Sequence, residues 1–362
     1  MGIDFASAAT ADRNAPASPA HWLAPYCPEV VSLLQQVEEK LAVLAQAEGK
    51  LLDEAGRYII SGRGKRLRPT ILLLAAEVCG GADALALETA AVVELVHTAS
   101  LVHDDVLDEA ASRRGKPSAR ALWGNKISVL VGDYLLCRAL SRLEGVSTDS
   151  LPEELLSVIQ QMCHGQIAEI CETSPQLSEA RYLEIVADKT ACLLRFCGRT
   201  GARCAAAPPP AVELLSSFAE RFGLAFQIAD DVHDLIGSQK ASGKPVNHDL
   251  RQRKVTLPLI YTLRCSNGAT RAFLEQTLAQ DSLSEEQLSE LKRLAQQNGG
   301  IGYAWSACRQ YLQQARQNLE ALPQACPWLQ EPPTNDASAR AQRAYQTLLL
   351  TCAEAFPLPV MA

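Results

Sequence analysis

Two aspartate triplets are the residues in this chain best suited to chemistry. Asp104, Asp105 and Asp108 form a D-D-x-x-D pattern within LVHTASLVHDDVLDEAASRR, and Asp230, Asp231 and Asp234 repeat the spacing in QIADDVHDL. On a helix, residues four apart share a face, so Asp104 and Asp108 project together, as do Asp230 and Asp234. Carboxylates that close repel one another and are costly to bury unpaired, unless a hard divalent cation bridges them. Mg²⁺ suits the site, because it takes oxygen ligands, keeps several waters and is often shared with substrate phosphates. An acidic helix patch is commonly just a solvated face. Here each triplet is entered from an apolar run, VELVHTASLV or FGLAFQIA, which a solvated face does not predict.

The composition is that of an ordinary globular chain: 362 residues, 48% hydrophobic and 21% charged. Only 5% is aromatic, and no stretch alternates for long at period two, so an all-α fold is expected. The formal charge of −7 argues against general nucleic-acid binding. The 12 cysteines form no C-x-x-C pair and no zinc-ligand spacing, which points to reduced core thiols and a cytoplasmic location. No run of 18 apolar residues predicts a membrane span. The first residues lack the charged start and apolar centre of a secretory signal.

Residues 1–25, rich in Ala, Ser, Pro and Asp, read as a weakly attached arm, with a single helical domain over 26–362. Helical periodicity runs through 27–47 and the following LLDEAGRYII. Then GRGKRLRPTILLLAAEVCG places Arg63, Lys65, Arg66 and Arg68 in a basic loop entering an apolar helix at Pro69. Such a loop suits a diphosphate, since helix ends and guanidinium forks both favour anions. The first triplet ends a helix over 88–108, with Arg113 and Arg114 just beyond it. Further helices are expected over 125–140, 151–172, 181–196 and 212–235, with Gln166, Glu169, Lys189 and Thr190 as polar residues in apolar surroundings. After the second triplet, a polar segment carrying Lys240, Lys244 and Lys254 has the character of a lid. A helical pattern follows over 257–322, then a Pro-rich loop over 326–336 and a last helix over 337–356.

Acidic triplets on facing helices, two basic clusters and apolar helix faces together suit ionisation of an allylic diphosphate. The diphosphate leaves toward the metals while a carbocation forms in a dry cavity. A second substrate held by the other basic cluster can then attack it.

The stretches GKRLRP (64–69), VHTASLVHDDVLDEAASRRGKPS (96–118), GNKISVLVGDYLL (124–136), HGQIAEI (164–170), DKTACLLRFCG (188–198) and FGLAFQIADDVHDLIG (222–237) occur in the order seen in the trans-isoprenyl diphosphate synthases, or polyprenyl synthetases. The chain resembles that family over roughly residues 30–310. The resemblance implies an isoprenoid synthase fold, a homodimer, and condensation of isopentenyl diphosphate with an allylic diphosphate. Asp104, Asp108, Asp230 and Asp234 would bind Mg²⁺, three ions per active site, and form the catalytic set with Lys189. Lys65, Arg68, His97 and Arg114 would hold isopentenyl diphosphate. Arg113, Lys189, Thr190, Gln227, Lys244 and Lys254 would contact the allylic substrate. No protein base is needed, because released diphosphate can take the proton.

In this family the residue five before the first aspartate limits product length. Here it is Ala99, flanked by the small Ser100; a ring would plug the tunnel, whereas Ala implies a long product, roughly seven to ten isoprene units, as in quinone tails. Such a product implies loose membrane association. The lid pattern G-K-x-x-G-x-D-L-x-x-G-K-x-T-L-P has Asn247 and Arg253 in place of its later glycines, and Arg tolerates unusual backbone angles poorly. Other readings are a short-chain farnesyl or geranylgeranyl diphosphate synthase, a terpene cyclase, a non-catalytic subunit of a heteromeric synthase, and a generic metal-binding helical protein. Cyclases carry a different second motif and lack GKRLRP, and non-catalytic subunits usually lose one acidic motif.

Overall fold

The helix that ends in the first triplet begins at a cap. The Asp83 carboxylate accepts the Ala86 amide at 2.7 Å, satisfying one of the open N–H groups of α4, Ala84–Leu107. The helix therefore starts a turn earlier than its charged residues suggest. In the computed structural model, which describes residues 23–62, 64–146, 150–237, 247–280 and 282–354, almost everything else is helical too. Before α4 come α1 (Pro28–Leu44), α2 (Lys50–Ile60) and α3 (Leu67–Val78). After it, a two-residue-strand hairpin, β1 (Ser112–Arg113) and β2 (Lys116–Pro117), interrupts the all-α pattern. Its two central residues, Arg114 and Gly115, have φ of 52° and 75°, as a tight two-residue hairpin turn demands.

Then follow α5 (Ala119–Val146), regular from Asn125 after a break at Gly124, and α6 (Leu151–Cys171). Next come α7 (Glu179–Val186), a π-helical turn (Ala187–Ala191), α8 (Cys192–Cys204) and α9 (Pro209–Ile236). The single helical stretch expected over 257–322 is four helices: α11 (Leu257–Cys265), α12 (Gly268–Leu278), α13 (Glu285–Gln297) and α14 (Gly300–Ala325). A short α10, His248–Arg251, precedes them. The Pro-rich segment holds a 3₁₀ turn at Pro327–Leu329, and α15 (Asp336–Glu354) closes the described chain.

The chain divides into two compact units. One contains residues 23–158, 193–219 and 316–354; the other contains 159–192 and 220–315. In the first, α3 is buried from Pro69 to Val78 and packs with α1, α4 and α15. Each fully buried Leu there, such as Leu72 or Leu74, contributes about 1.5–3 kcal/mol of transfer free energy. Helix α4 is long and apolar enough to cross a membrane, yet it is a core helix, buried along most of its length against α1, α3 and α5. Trp328 fastens the C-terminal segment by donating its indole N–H to the Val78 carbonyl at 3.0 Å. A surface groove of about 620 Å³ between residues 329–333 and α15 contains none of the expected site residues. In the second unit, α11 packs on α7, α12 and α13, and the capping box of Ser284 and Gln287 opens α13.

Asn247 and Arg253, which replace the lid glycines, both adopt the left-handed backbone those glycines would take, with φ of 59° and 65°. At such a φ, glycine is favoured over a residue bearing Cβ by about 1 kcal/mol. Arg253→Gly is therefore expected to be more stable than Arg253→Ala by that amount in denaturant unfolding. Equal midpoints would show the left-handed turn to be unstrained.

Candidate active site

In the first unit, the C-terminal half of α4 has two distinct faces. His97, Ser100, Asp104 and Asp108 are partly open, whereas Ala99, Val102 and Asp105 are buried. Asp104 and Asp108 lie one turn apart, and the Asp108 amide donates to the Asp104 carbonyl at 2.8 Å as the helix ends. Asp105 turns away from them, 3% exposed, and accepts from Arg113 Nε at 2.6 Å. The middle aspartate thus fixes the hairpin arginine, while the outer two share the open face.

Basic groups gather around His97. Burial first, then the guanidinium groups of Arg68, Arg114, Arg113 and Arg66, hold its imidazole well below the usual range, so the ring is uncharged at neutral pH. An uncharged imidazole can still donate one N–H to a phosphate oxygen. Arg114 reaches back to the basic loop, where its Nη1 donates to the Gly62 carbonyl at 3.4 Å. A Cβ on Gly64 would lie 2.6 Å from the same nitrogen, so the guanidinium occupies space that only glycine leaves. Lys65 is exposed and Arg68 half-buried. Arg63 lies outside the described residues.

The second unit repeats the division of labour. Asp230 is exposed and Asp234 half-buried, while Asp231 is 5% exposed. The Asp231 carboxylate accepts from the Tyr182 hydroxyl at 2.5 Å and from Gln227 Nε2 at 2.7 Å. Gln227 accepts in turn from Thr190 Oγ1 at 3.0 Å. Thr190 and Lys189 sit in the π-turn, a single-turn widening common at functional sites. A Cβ on Gly165 would come within 2.5 Å of the Lys189 amide nitrogen, so HGQIAEI carries a glycine where α6 meets this turn.

Lys189 Nζ lies 2.6 Å from Glu169 Oε2, and Lys254 Nζ lies 3.4 Å from the same oxygen. Lys254 therefore joins the site; Lys244 and Lys240 lie outside the described residues. Asp234 accepts the His248 and Asp249 amides at 3.1 and 3.0 Å, tying the second triplet to α10.

These acids crowd one another. Burial, then Asp234, Asp230 and Glu169, push the Asp249 carboxyl up to about 7 against the opposing pull of Lys254. Burial first, and neighbouring carboxylates after it, raise Asp231 and Asp234 as well. An oxygen-only cluster destabilised by its own charge fits a hard cation, which would reverse that destabilisation. Among the described residues no three His, Cys, Asp or Glu side chains form a ready-made metal cage.

Glu169, Asp249 and Tyr182 are the site residues that residue patterns left without a role. Asp249 stands in the D-L of the lid pattern, and Glu169 is a charge in an apolar run, so both carried a signal. Tyr182 carried none.

The polyprenyl synthetase family matches residues 49–295. The chain is 32% identical to octaprenyl diphosphate synthase of Haemophilus influenzae over 296 residues, 81% of this chain and 89% of that protein. It is 31% identical to a short chain isoprenyl diphosphate synthase of Methanothermobacter thermautotrophicus over 273 residues, 74% of this chain and 83% of that one. The crystal structure of a polyprenyl synthase from Caulobacter crescentus, complexed with calcium and isoprenyl diphosphate, superposes with a TM-score of 0.78 at 28% identity, covering 88% of this chain and 94% of the other. With both triplets oriented by buried central aspartates and basic side chains beside each, this chain belongs to the polyprenyl synthetase family and is a trans-prenyl diphosphate synthase.

Proposed function

We propose that the protein condenses isopentenyl diphosphate with an allylic diphosphate, repeatedly, to make a long-chain all-trans polyprenyl diphosphate for quinone side chains. The observation that carries this reading is the shared architecture of the triplets. In each, the central aspartate is buried on a structural partner and the outer pair is left on a more open face.

Asp104, Asp108, Asp230 and Asp234 hold Mg²⁺, which when bound neutralises charge on the leaving diphosphate. Arg113, Lys189, Thr190, Gln227, Lys244 and Lys254 orient the allylic diphosphate. Lys65, Arg68, neutral His97 and Arg114 hold isopentenyl diphosphate. The allylic C–O bond breaks with its electron pair going to diphosphate. The isopentenyl double bond then attacks the allylic carbon, and the released diphosphate takes the proton lost as the new double bond forms. Apolar side chains exclude water from the cation.

The test is incubation of the purified protein with labelled isopentenyl diphosphate, farnesyl diphosphate and Mg²⁺, with chromatography of the dephosphorylated products. Long-chain alcohols from the protein alone support the reading. Chains stopping at farnesyl or geranylgeranyl length favour the short-chain alternative. Activity only after adding a second subunit overturns self-sufficiency.

Residues 26–362 act as one catalytic domain, and the functional unit is a homodimer. Leu122, Val129 and Leu130 on α5 are 46%, 39% and 63% exposed, and a second copy would cover them. Leu130→Asp is expected to yield a monomer by sedimentation; a monomeric parent protein would remove the proposal. Seven of the twelve cysteines are buried, but Cys137, Cys163, Cys171 and Cys265 are exposed on helix surfaces, so the expectation of core thiols holds for only part of the set.

A further inference from the structure

Arg66 stands between Lys65 and Arg68, yet its side chain takes a different course. Its backbone is left-handed, with φ 49° and ψ 38°, where α3 begins. A long side chain rarely occupies that region unless its surroundings hold it there. The surroundings here are specific. The Arg66 side chain is 4% exposed, and its guanidinium forks onto the Glu38 carboxylate through Nε and, at 3.0 Å, through Nη2. Its Nη1 donates to Glu94 Oε1 at 2.9 Å and its Nη2 to the Ile60 carbonyl at 3.3 Å. Glu38 is on α1, Ile60 ends α2, and Glu94 is on α4, three residues before His97 and on the same side of the helix.

One guanidinium thus ties the basic loop to three helices, including the one that carries His97, Asp104 and Asp108. The Arg66 guanidinium is buried on Glu38 and Glu94, and the neighbouring Lys65 is at the surface.

We propose that Arg66 is a positioning residue for isopentenyl diphosphate: its buried fork onto Glu38 and Glu94 locks the left-handed turn that sets Lys65 and Arg68 relative to His97. The proposal rests on the assignment of Lys65, Arg68 and His97 to that substrate. Lysine cannot reproduce the planar fork, so Arg66→Lys keeps the charge and loses the geometry. Displacing a binding group by about an ångström can cost up to about a hundredfold in rate.

The experiment measures steady-state kinetics with each substrate varied in turn, together with thermal unfolding, for Arg66→Lys, Glu38→Gln and the double variant Arg66→Met with Glu94→Gln. The double variant removes both buried charges, so neither is stranded. Glu38→Gln weakens the fork at its more exposed end and provides a folded variant if the others do not fold. The expected result is a KM for isopentenyl diphosphate raised about tenfold in Arg66→Lys, and less in Glu38→Gln, with kcat and the allylic KM within about twofold of the parent. A folded variant with an unchanged isopentenyl KM, or one in which both KM values and kcat worsen together, overturns the proposal. Lys65→Ala separates this from the underlying assignment: if it leaves the isopentenyl KM unchanged, the assignment itself fails.

Discussion

Asp104→Ala is expected to slow prenyl transfer by about three orders of magnitude, about 4 kcal/mol of lost transition-state stabilisation, and Asp230→Ala to do the same. The size follows from what is removed. Departure of diphosphate places its charge on the leaving oxygens, and a carboxylate that holds the neutralising cation acts on that charge most strongly in the transition state. Neither change should disturb the fold. Asp104 is half-buried and Asp230 exposed, and substitutions at such positions usually stay within about 0.5 kcal/mol of the parent. Radiolabel incorporation and thermal unfolding on the same preparations check both halves. Full activity in either variant would end the metal-binding assignment. The double variant should lose little beyond either single one if the two triplets act on the same diphosphate, since residues acting as a unit are not additive.

The central aspartates should behave in the opposite way. Asp231→Ala leaves the Tyr182 hydroxyl and the Gln227 amide facing an absent partner, a cost of about 1–3 kcal/mol in stability. Asp105→Ala releases Arg113 from its ion pair. Within one D-D-x-x-D, two positions are therefore read out as activity and one first as stability.

That distinction was not legible in the sequence. Asp104 and Asp105 are adjacent and chemically identical. Which of them is buried depends on Arg113, eight residues later, returning on a hairpin. The triplets themselves were legible, because a solvated helix face does not put an i, i+4 acidic pair at the end of an apolar run. The order of the helices was legible through the same periodicity. Their breaks were less so. The pattern over 257–322 is periodic throughout, but Ser266–Asn267 and Asn298–Gly299 end helices by local backbone preferences that a periodicity reading passes over. The π-turn at Ala187–Ala191 adds a residue to a helical turn without changing the kinds of residue present, so ADKTA reads as ordinary helix. The lid turn was not legible either, because Arg253 in place of a glycine argued against a left-handed backbone there. Asn247 and Arg253 keep the left-handed φ, and the amides just after Asn247 are held by Asp234.

Ala99→Phe should shorten the product by several isoprene units while the first condensation proceeds near its normal rate. The expectation comes from position and volume. Ala99 is one turn and one residue before Asp104, and the family resemblance makes that position the length limit, so a ring there is expected to meet the growing chain rather than either diphosphate. The structure adds a constraint: Ala99 is 1% exposed, whereas Ser100 shares the partly open face with Asp104. A phenyl group at Ala99 must therefore enter packed surroundings, at a cost of about 1–3 kcal/mol, or displace neighbours into the path of the chain. At Ser100 a ring can extend along the open face with less strain. The two sites are separated by comparing product length with stability. Ala99→Phe with a lowered melting temperature and an unchanged product spectrum would assign Ala99 to the core. If Ser100→Phe then shortened the chain, the length limit would lie on the face of α4 that also carries Asp104 and Asp108. Unchanged products from both variants would mean that the chain grows along another helix.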